Sequence, residues 1–264
     1  MPIISLLSDF GLKDSYVSEM KAVILSICPN ATLVDITHEI SKYNIIEGAF
    51  ILASTAPYFP NNTIHLAVVD PGVGSKRRPI IVKSKKHFYV GPDNGLLILA
   101  AKKDGIIKVY HIVNKEYIRK EISSTFHGRD IFAPVSAYLA NGVKPEEIGV
   151  EIKDYEIPEF VKPTIKNNSI ELKVIHIDSF GNVITNLYKD QIKDIKLEFN
   201  TKLLLKVKGK KFKVKFLNTY SNAKKKELLT LIGSHNFLEI AMNQGNASNK
   251  LKLKEGDSIK IFIE

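Results

Sequence analysis

The spacing of hydrophobic and polar positions changes near residue 156 of this chain. Before that point, short apolar runs typical of buried strands alternate with segments of helical period. The predicted strands are Pro2–Ser8, Thr32–Ile36, Ile64–Val69, Ile80–Lys83 and Phe88–Val90, and the predicted helices are Asp14–Cys28, Asn44–Thr55 and Ile131–Leu139. This alternation predicts an α/β domain over residues 1–156 with a doubly wound, mostly parallel sheet.

Local sequence signals give these helices their expected ends. Asp14 or Ser15 is expected to cap the first helix, which Pro29 stops. Asn44 and Glu47 have the spacing of a capping box at the start of the second helix.

Residues 157–168 are predicted to be a linker, because they contain two prolines and a polar turn. After them come short segments of alternating hydrophobicity, separated by turns that contain Gly or Asn. These segments are Ile170–Ile177, Lys202–Val207, Phe212–Phe216, Glu227–Ile232 and Ser258–Ile263. The pattern predicts a smaller, all-β, barrel-like domain over residues 169–264.

Composition narrows the class of protein. No apolar run approaches the roughly 18 residues that a membrane span needs, and the N-terminus lacks the features of a signal peptide. Cys28 is the only cysteine, which excludes an intrachain disulfide and fits a reducing cytoplasm. The net charge is +10, and lysines cluster in the last third of the chain. Their alternation with apolar residues over 211–216 indicates a solvent-exposed strand face, and an acidic partner is the alternative.

The clearest candidate for chemistry is the loop after the strand Ile64–Val69. The strand ends at Asp70, a Pro/Gly turn follows, and Arg77 comes seven residues later. Ligands of open α/β sheets bind outside the carboxyl ends of strands, so this carboxylate and guanidinium are candidates for a reaction site. An ordinary turn with a salt bridge is the alternative. His127, just before a predicted helix, is a candidate acid, base or orienting group. A structural histidine is the alternative, although an Asp, an Arg and a His at loop ends of one sheet favour chemistry.

Three further segments place polar residues beyond apolar runs. Asp9 ends the first strand and is suited to accept hydrogen bonds from a ribose diol, or simply to cap a turn. In residues 178–182, Phe180 and Asn182 are candidates to stack on a base and to bind its edge, unless the segment is a plain hairpin turn. Residues 232–247 are predicted to be a polar loop that offers backbone amides and hydroxyls to a carboxylate or base, or that is a plain surface loop. The sequence has no metal-binding His/Cys spacing, P-loop, dinucleotide fingerprint or GxSxG elbow.

Six motifs, in this order, resemble those of the S-adenosylmethionine (SAM) hydroxide adenosyltransferase family, which is related to SAM-dependent fluorinating and chlorinating enzymes. The motifs are Ser8-Asp-Phe-Gly11, Val69-Asp-Pro-Gly-Val-Gly74 with Arg77, Gly91-Pro-Asp-Asn-Gly95, Phe126-His-Gly-Arg-Asp130, Asp178-Ser-Phe-Gly-Asn-Val183 and Asn243-Gln-Gly-Asn-Ala247. The resemblance extends over nearly the whole chain. It implies an N-terminal α/β domain, a C-terminal barrel-like domain, and a homotrimer that binds substrate between neighbouring subunits.

The resemblance also implies roles for individual residues. Asp70, Arg77 and His127 would surround the attacking water, which would convert SAM to adenosine and methionine. The implied substrate-binding residues are Asp9, Tyr43, Asp178, Phe180, Asn182, Ser234, Glu239, Asn243 and Ala247. Neither a metal nor a cofactor is expected. Halogenating relatives carry Tyr where this chain has Asp70, and they use a Trp in the segment where it has Tyr43. This chain has no Trp, and both differences favour hydrolysis over halogenation.

Two other functions remain compatible with the sequence. A SAM- or adenosine-binding protein without turnover would retain the recognition segments, although the acid, cation and histidine would then have no chemical purpose. A nucleic-acid-binding protein would explain the C-terminal lysines. It is the weakest of these hypotheses, because the chain has no basic stripe rich in aromatic residues.

Overall fold

The structure, a computed structural model, describes residues 1–157, 163–166, 169–195 and 197–263. Contacts divide the chain into two units, residues 1–158 and 159–264. Most of the predicted linker, residues 158–162 and 167–168, lies outside the described residues. Within it, Thr164–Lys166 forms a short strand that pairs with the strand after it.

The first unit is built on one seven-stranded sheet. Its strands are β1 (Ile3–Ser8), β2 (Thr32–Thr37), β3 (Ile64–Val68), β4 (Pro79–Ser84), β5 (Phe88–Pro92), β6 (Ile106–Ile112) and β7 (Gly149–Ile152), in the order β2-β1-β3-β5-β4-β6-β7. The pairs β2-β1, β1-β3 and β3-β5 are parallel, and only β4 and β7 run against the other five strands. The predicted mostly parallel α/β fold is therefore confirmed.

Helices cover the sheet. They are α1 (Tyr16–Ile27), α2 (Ile45–Thr55), α3 (Ile98–Asp104), α4 (Ala133–Ala140) and the single turn α5 (Pro145–Ile148). Side chains of α1 and α4, including Met20, Ile24 and Val135, pack with Ile4 and Leu66 of the sheet in one apolar core. The central strands β1 and β3 have mostly apolar sequences because both faces of a central parallel strand are buried.

Helix ends agree with the sequence in one case and differ in two. Asn44 caps α2, since its side chain accepts a hydrogen bond from the Glu47 amide over 3.1 Å. Ser15 occupies the N-cap position of α1, but its hydroxyl donates to Glu19 and makes no capping bond. The helix predicted over 131–139 starts as a π-helical turn at Gly128–Phe132, and α4 continues from it.

The second unit is an antiparallel sheet that nearly closes into a barrel, as predicted. Its elements are β8 (Thr164–Lys166), β9 (Ser169–Ile177), β10 (Val183–Tyr188), α6 (Lys189–Asp194), β11 (Lys202–Val207), β12 (Lys210–Lys215), β13 (Leu228–Ile232), β14 (Phe237–Met242), α7 (Ala247–Leu251) and β15 (Ser258–Ile263). The strand order is β12-β11-β15-β9-β10-β14-β13, and a bridge between Phe216 and Thr230 joins its ends. Inward-facing residues such as Leu205, Ile240 and Ile261 form its core.

Several elements have no counterpart among the predicted ones. The sequence did not reveal α3, β6, β7, β10 or β14. The prediction of a polar loop over 232–247 was wrong in its centre, where Phe237–Met242 forms β14 between β10 and β13. No helix in the described part of the chain is both long and apolar enough to cross a membrane.

Candidate functional site

A carboxylate and a guanidinium meet at the carboxyl end of β3. Asp70 follows this strand, and Arg77 returns from the turn, so that its Nε atom donates to Asp70 Oδ1 over 2.9 Å and to Oδ2 over 3.0 Å. Arg77 Nη2 also donates to Oδ2. Both side chains are over 90% buried, with exposed fractions of 5% for Asp70 and 9% for Arg77. The structure thus brings the two predicted residues into a buried bidentate pair.

The backbone supports this placement from the neighbouring strand β5. Gly91 packs against β3 so closely that a Cβ atom there would overlap the Ala67 carbonyl oxygen. The Asn94 side chain donates to the Val69 carbonyl over 2.9 Å. The Gly91–Gly95 motif therefore fixes the strand end that carries Asp70, a role its sequence did not reveal.

His127 is the third member of this cluster. Arg77 Nη2 lies 2.8 Å from His127 Nδ1. Because a guanidinium only donates hydrogen bonds, Nδ1 must be the acceptor, and the neutral ring carries its proton on Nε2. Burial lowers the pKa of His127, and the positive charge of Arg77 lowers it further. The imidazole is therefore held neutral, with its N–H directed away from Arg77.

A second ionic network fixes the segment that carries His127. Arg129 Nε donates to Asp130 Oδ1 over 2.8 Å, and Arg129 Nη1 donates to Glu19 over 2.9 Å. Burial alone would raise the pKa of Asp130, but hydrogen bonds from Arg129 and the Ser123 amide outweigh it and lower the pKa. These supporting residues were missed as individual candidates, although Arg129 and Asp130 stand beside His127 in one motif.

The π-helical turn and an aromatic ring complete the surroundings of the cluster. His127 directly precedes the π-helix. This conformation is rare in proteins as a whole, but where it occurs it is often at a functional site. The Arg77 guanidinium carbon lies 5.2 Å from the centre of the Phe132 ring, which the same turn presents. Arg77 is thus held on one side by Asp70, on another by His127, and from below by an aromatic face.

Asp9 and Tyr43 also meet in the first unit. Asp9 Oδ2 accepts a hydrogen bond from the Tyr43 amide over 2.9 Å, and its main-chain oxygen accepts one from Lys42. Tyr43 has a positive φ of 66°, and its side chain is largely exposed. The other carboxylate oxygen of Asp9 has no hydrogen-bond partner among the described residues, so it is available to a ligand.

Buried polar contacts support the turn Ser8–Gly11, which contains Asp9. The Ser8 hydroxyl accepts from the Phe10 amide and lies 2.7 Å from His38 Nδ1. His38 Nε2 lies 3.2 Å from Asp35 Oδ1, and the His38 carbonyl accepts from the Gly11 amide over 2.7 Å. His38 therefore holds both ends of the Ser8–Gly11 turn, which the sequence did not predict.

In the second unit, Asp178, Phe180 and Asn182 form one compact turn. Asp178 Oδ1 accepts from the Phe180 and Asn182 amides over 3.0 and 2.9 Å, and its Oδ2 accepts from Asn182 Nδ2 over 2.9 Å. The side chain of Phe180 is 77% exposed. A Cβ atom at Gly181 would overlap the side chain of Asn246, so only glycine allows the two motifs to pack this closely.

Glu239 is a buried acid on β14. Tyr220 donates to its Oε1 over 2.6 Å, and a Cβ atom at Gly233 would overlap its Oε2. Burial raises the pKa of Glu239, and the negative charge of Asp178 raises it further, against the effect of the Tyr220 hydrogen bond. The hydrogen bond identifies Tyr220 as a neighbour of Glu239 that the sequence did not reveal.

The remaining predicted residues lie in three different settings. Ser234 follows Gly233 in the turn between β13 and β14, where the Gly233 amide donates to the Phe237 carbonyl. The Asn243 amide group donates to the Ala223 carbonyl over 2.7 Å, which gives it a structural partner. Ala247 begins α7 and is fully buried.

Comparisons with known proteins agree with this architecture. Residues 4–149 match the model of the SAM hydroxide adenosyltransferase N-terminal domain, and residues 172–260 match that of the C-terminal domain. A protein from Methanocaldococcus jannaschii named (R)-S-adenosyl-L-methionine hydrolase is 39% identical, over 99% of this chain and 96% of its own length. A fluorinase from an Actinoplanes species is 28% identical, over 98% of this chain and 97% of its own length.

A solved structure shows the same likeness. The crystal structure of an uncharacterized conserved protein from Thermotoga maritima aligns with a TM-score of 0.92 and 40% identity, over 98% of this chain and 99% of that one. Both domain models match in the expected order, and the hydrolase relative aligns over nearly its full length. The chain therefore belongs to the SAM hydroxide adenosyltransferase family.

Proposed function

We propose that this protein hydrolyses SAM to adenosine and L-methionine by attack of water or hydroxide at C5′ of the ribose. The family and the name of the M. jannaschii relative support the reaction. The leaving group is a neutral thioether, so it needs no general acid. The difficult step is the supply of a nucleophile, because bulk water has a pKa near 15.7.

The observation that carries the proposal is an unused donor on Arg77. Its Nη1 atom is buried and has no hydrogen-bond acceptor among the described residues, whereas Nε and Nη2 are bound to Asp70 and His127. A buried charged N–H without an acceptor is costly. An oxygen nucleophile next to Nη1 would satisfy it, and the positive charge would stabilise hydroxide character.

Asp70 and His127 complete this proposed site in different ways. Each carboxylate oxygen has more than one lone pair, so Asp70 is able to accept a proton or hydrogen bond from water while it binds Arg77. His127 has Nδ1 occupied by Arg77, so its Nε2–H acts as a donor to the nucleophile. In this assignment Asp70 takes the proton, and His127 orients the attacking oxygen along the axis of the C–S bond.

Substrate binding is assigned to the other candidate residues. Asp9, with one free carboxylate oxygen, binds the ribose hydroxyls, and Tyr43 lines the same wall. Phe180 stacks on adenine, and Asn182 Oδ1 accepts from the adenine amino group because its Nδ2 is bound to Asp178. The amino-acid end of SAM binds to Asp178 and Ser234. Glu239, Asn243 and Ala247 are weaker candidates for this recognition set.

The quaternary structure that fits this assignment is a homotrimer with sites at subunit interfaces. Asp70, Arg77 and His127 belong to residues 1–158, while the adenine- and methionine-binding candidates belong to residues 159–264. Tyr43 and Phe180 are large aromatic side chains that are 70% and 77% exposed. Contact with substrate and a neighbouring subunit would cover them.

Subunit complementation tests the shared site. Asp70→Ala and Asp178→Ala are each expected to be inactive, but mixed trimers would contain sites with both residues intact. Refolding the two variants together is expected to restore part of the activity, and light scattering is expected to give the mass of three chains. A monomeric mass, or no recovery on mixing, would show that each chain forms its own site.

Isotope labelling tests the reaction itself. Incubation with SAM in ¹⁸O-labelled water is expected to place one label in the 5′-hydroxyl of adenosine, as measured by mass spectrometry. Intact SAM after prolonged incubation would instead indicate a binding protein. Because the relative is named for the (R) form, both sulfonium epimers are the substrates to compare. Dialysis against a chelator is expected to leave the rate unchanged.

A further inference from the structure

Almost all of the net charge of this protein lies in its C-terminal unit. Residues 159–264 contain 20 of the 38 basic residues but only 11 of the 28 acidic ones, so they carry +9 of the total charge of +10. All 20 of these basic residues are lysines. The proposed hydrolysis does not use this excess, because its recognition residues in this unit are neutral or acidic.

The strand register collects part of this charge on one surface. On β11 and β12, Leu203, Leu205 and Val214 are buried in the barrel core, so the alternate positions face outward. Five lysines occupy these outward positions and define the lysine face: Lys202, Lys206, Lys211, Lys213 and Lys215. All five are exposed to solvent.

Like charges stand directly opposite each other on this face. Lys202 pairs with Lys215 and Lys206 with Lys211 across β11 and β12, and Lys206 also pairs with Lys260 of β15. Direct opposition of like charges destabilises a sheet. Lys260 has Glu171 as a partner at 2.8 Å, whereas the five lysines of the face form no ion pair with a described residue. A face that served only solubility would be more stable if acidic residues stood opposite some of the lysines.

We propose that the lysine face binds the phosphodiester backbone of nucleic acid without sequence preference. Lys211, Lys213 and Lys215 follow one another at about 6.8 Å along β12, a spacing comparable to that of successive phosphates. Lysine is a compact point charge, which attracts phosphates without reading bases. The aromatic residues next to these lysines in the sequence, Phe212 and Phe216, pack toward the core, so base stacking is not part of this binding.

A neighbouring cleft extends the positive surface. It has a volume of about 400 Å³, and its lining includes four lysines and one acid, Glu171, which pairs with Lys260. The other three lysines are Lys173, Lys206 and Lys208, so the lining keeps a positive excess. The same lining contains the hydroxyl-bearing residues Thr164 and Ser258, which are suited to phosphate oxygens. Lys206 belongs to both the cleft and the lysine face, so a bound strand would pass from one to the other.

The shape of the face favours nucleic acid over an anionic membrane. Its apolar members, Leu204 and Phe262, are half-buried in the sheet between lysines. Binding to a membrane surface gains strength from apolar side chains that enter the interface, in addition to the attraction between charges. The lysine face is instead an array of charges on a sheet.

Fluorescence anisotropy with a labelled mixed-sequence DNA duplex of about 20 base pairs tests the proposal. Binding is expected to weaken steeply between about 50 and 200 mM salt, with a logarithmic slope near −4 for four to five phosphate contacts. Neutralisation in Lys206→Gln/Lys211→Gln is expected to weaken binding about tenfold or more at low salt, and to reduce the slope by about 2. The matched control is Lys85→Gln/Lys86→Gln, two exposed lysines of the first unit.

Two further readouts separate this proposal from the hydrolysis and from misfolding. The double variant is expected to hydrolyse SAM at the wild-type rate and, at low salt without DNA, to unfold at a higher temperature, because like-charge repulsion is removed. The proposal is overturned by no DNA binding at 50 mM salt, by the same salt slope in both proteins, or by binding to phosphatidylserine vesicles but not to DNA.

Discussion

The two units of this protein differ in how they use positive charge. All four arginines of the chain lie in residues 1–158, and each forms an ion pair with a carboxylate: Arg77 with Asp70, Arg78 with Asp93, and both Arg119 and Arg129 with Asp130. The second unit has lysines but no arginine, and many of these lysines lie on exposed strand faces. Arginine fixes geometry through its planar fork, whereas lysine supplies a mobile point charge. The first unit is therefore suited to position reacting groups, and the second to attract and recognise.

Arg77→Lys is expected to have the largest effect. An ammonium group cannot bind both oxygens of Asp70 and also reach His127 and the nucleophile. We expect kcat to fall by about 10²- to 10³-fold with little change in KM, which steady-state kinetics measure directly. The reverse change in the second unit, Lys260→Arg, is the control and is expected to leave kcat unaltered. Equal effects of the two changes would remove the distinction between the units.

Phe180→Ala is expected to alter binding rather than chemistry. Stacking of a base on an aromatic ring is worth about 1–3 kcal/mol, so KM is expected to rise roughly 5- to 150-fold while kcat stays within a few fold. Tyr58, 80% exposed in the first unit, provides a matched control as Tyr58→Ala. A fall in kcat at constant KM would place Phe180 among the groups that act in the chemical step.

Acid stability tests the buried polar interior of the first unit. Burial lowers the pKa of His65 to about 3, and its ring stacks on Tyr89. In the unfolded chain His65 binds a proton below about pH 6.5, whereas in the folded chain it stays neutral. The free energy of unfolding is therefore not reduced by this group above pH 6.5. It is expected to fall by about 1.4 kcal/mol per pH unit as the pH drops from 6.5 toward 3. Urea unfolding of wild type and His65→Gln checks this, since the variant is expected to show a shallower dependence.

The smallest expected effect concerns His38, which contacts Ser8 in the turn that contains Asp9. His38→Ala removes the hydrogen bond to Ser8, and with it one support of the turn that is proposed to bind the ribose. A loss of about 0.5–1.5 kcal/mol corresponds to a KM increase of roughly 2- to 10-fold, with kcat unchanged. Partial recovery in His38→Gln would support a hydrogen-bonding role. An unaltered KM in His38→Ala would mean that the rest of the turn holds Asp9 by itself.

The sequence was most informative where local signals are strong. The capping residue Asn44 and the buried strands around Asp70 follow from capping chemistry and hydrophobic runs. The strands β10 and β14 were missed because polar residues at their ends, such as Asn243, gave these segments the composition of loops. Each strand pairs with its neighbour in the chain, but the two also pair with each other, as Val183 does with Ile240, and no local window contains that pairing.

The sequence by itself determined the fold class, the family motifs and the residue types of the candidate site. Only the tertiary structure decided which of these residues meet, since Asp70 and His127 are 57 positions apart and join through Arg77. It also decided the protonated nitrogen of His127 and the opposition of Lys206 and Lys211. The physical reason is that periodicity and capping act over a few residues, whereas hydrogen-bond geometry, burial and strand register depend on segments that only folding brings together.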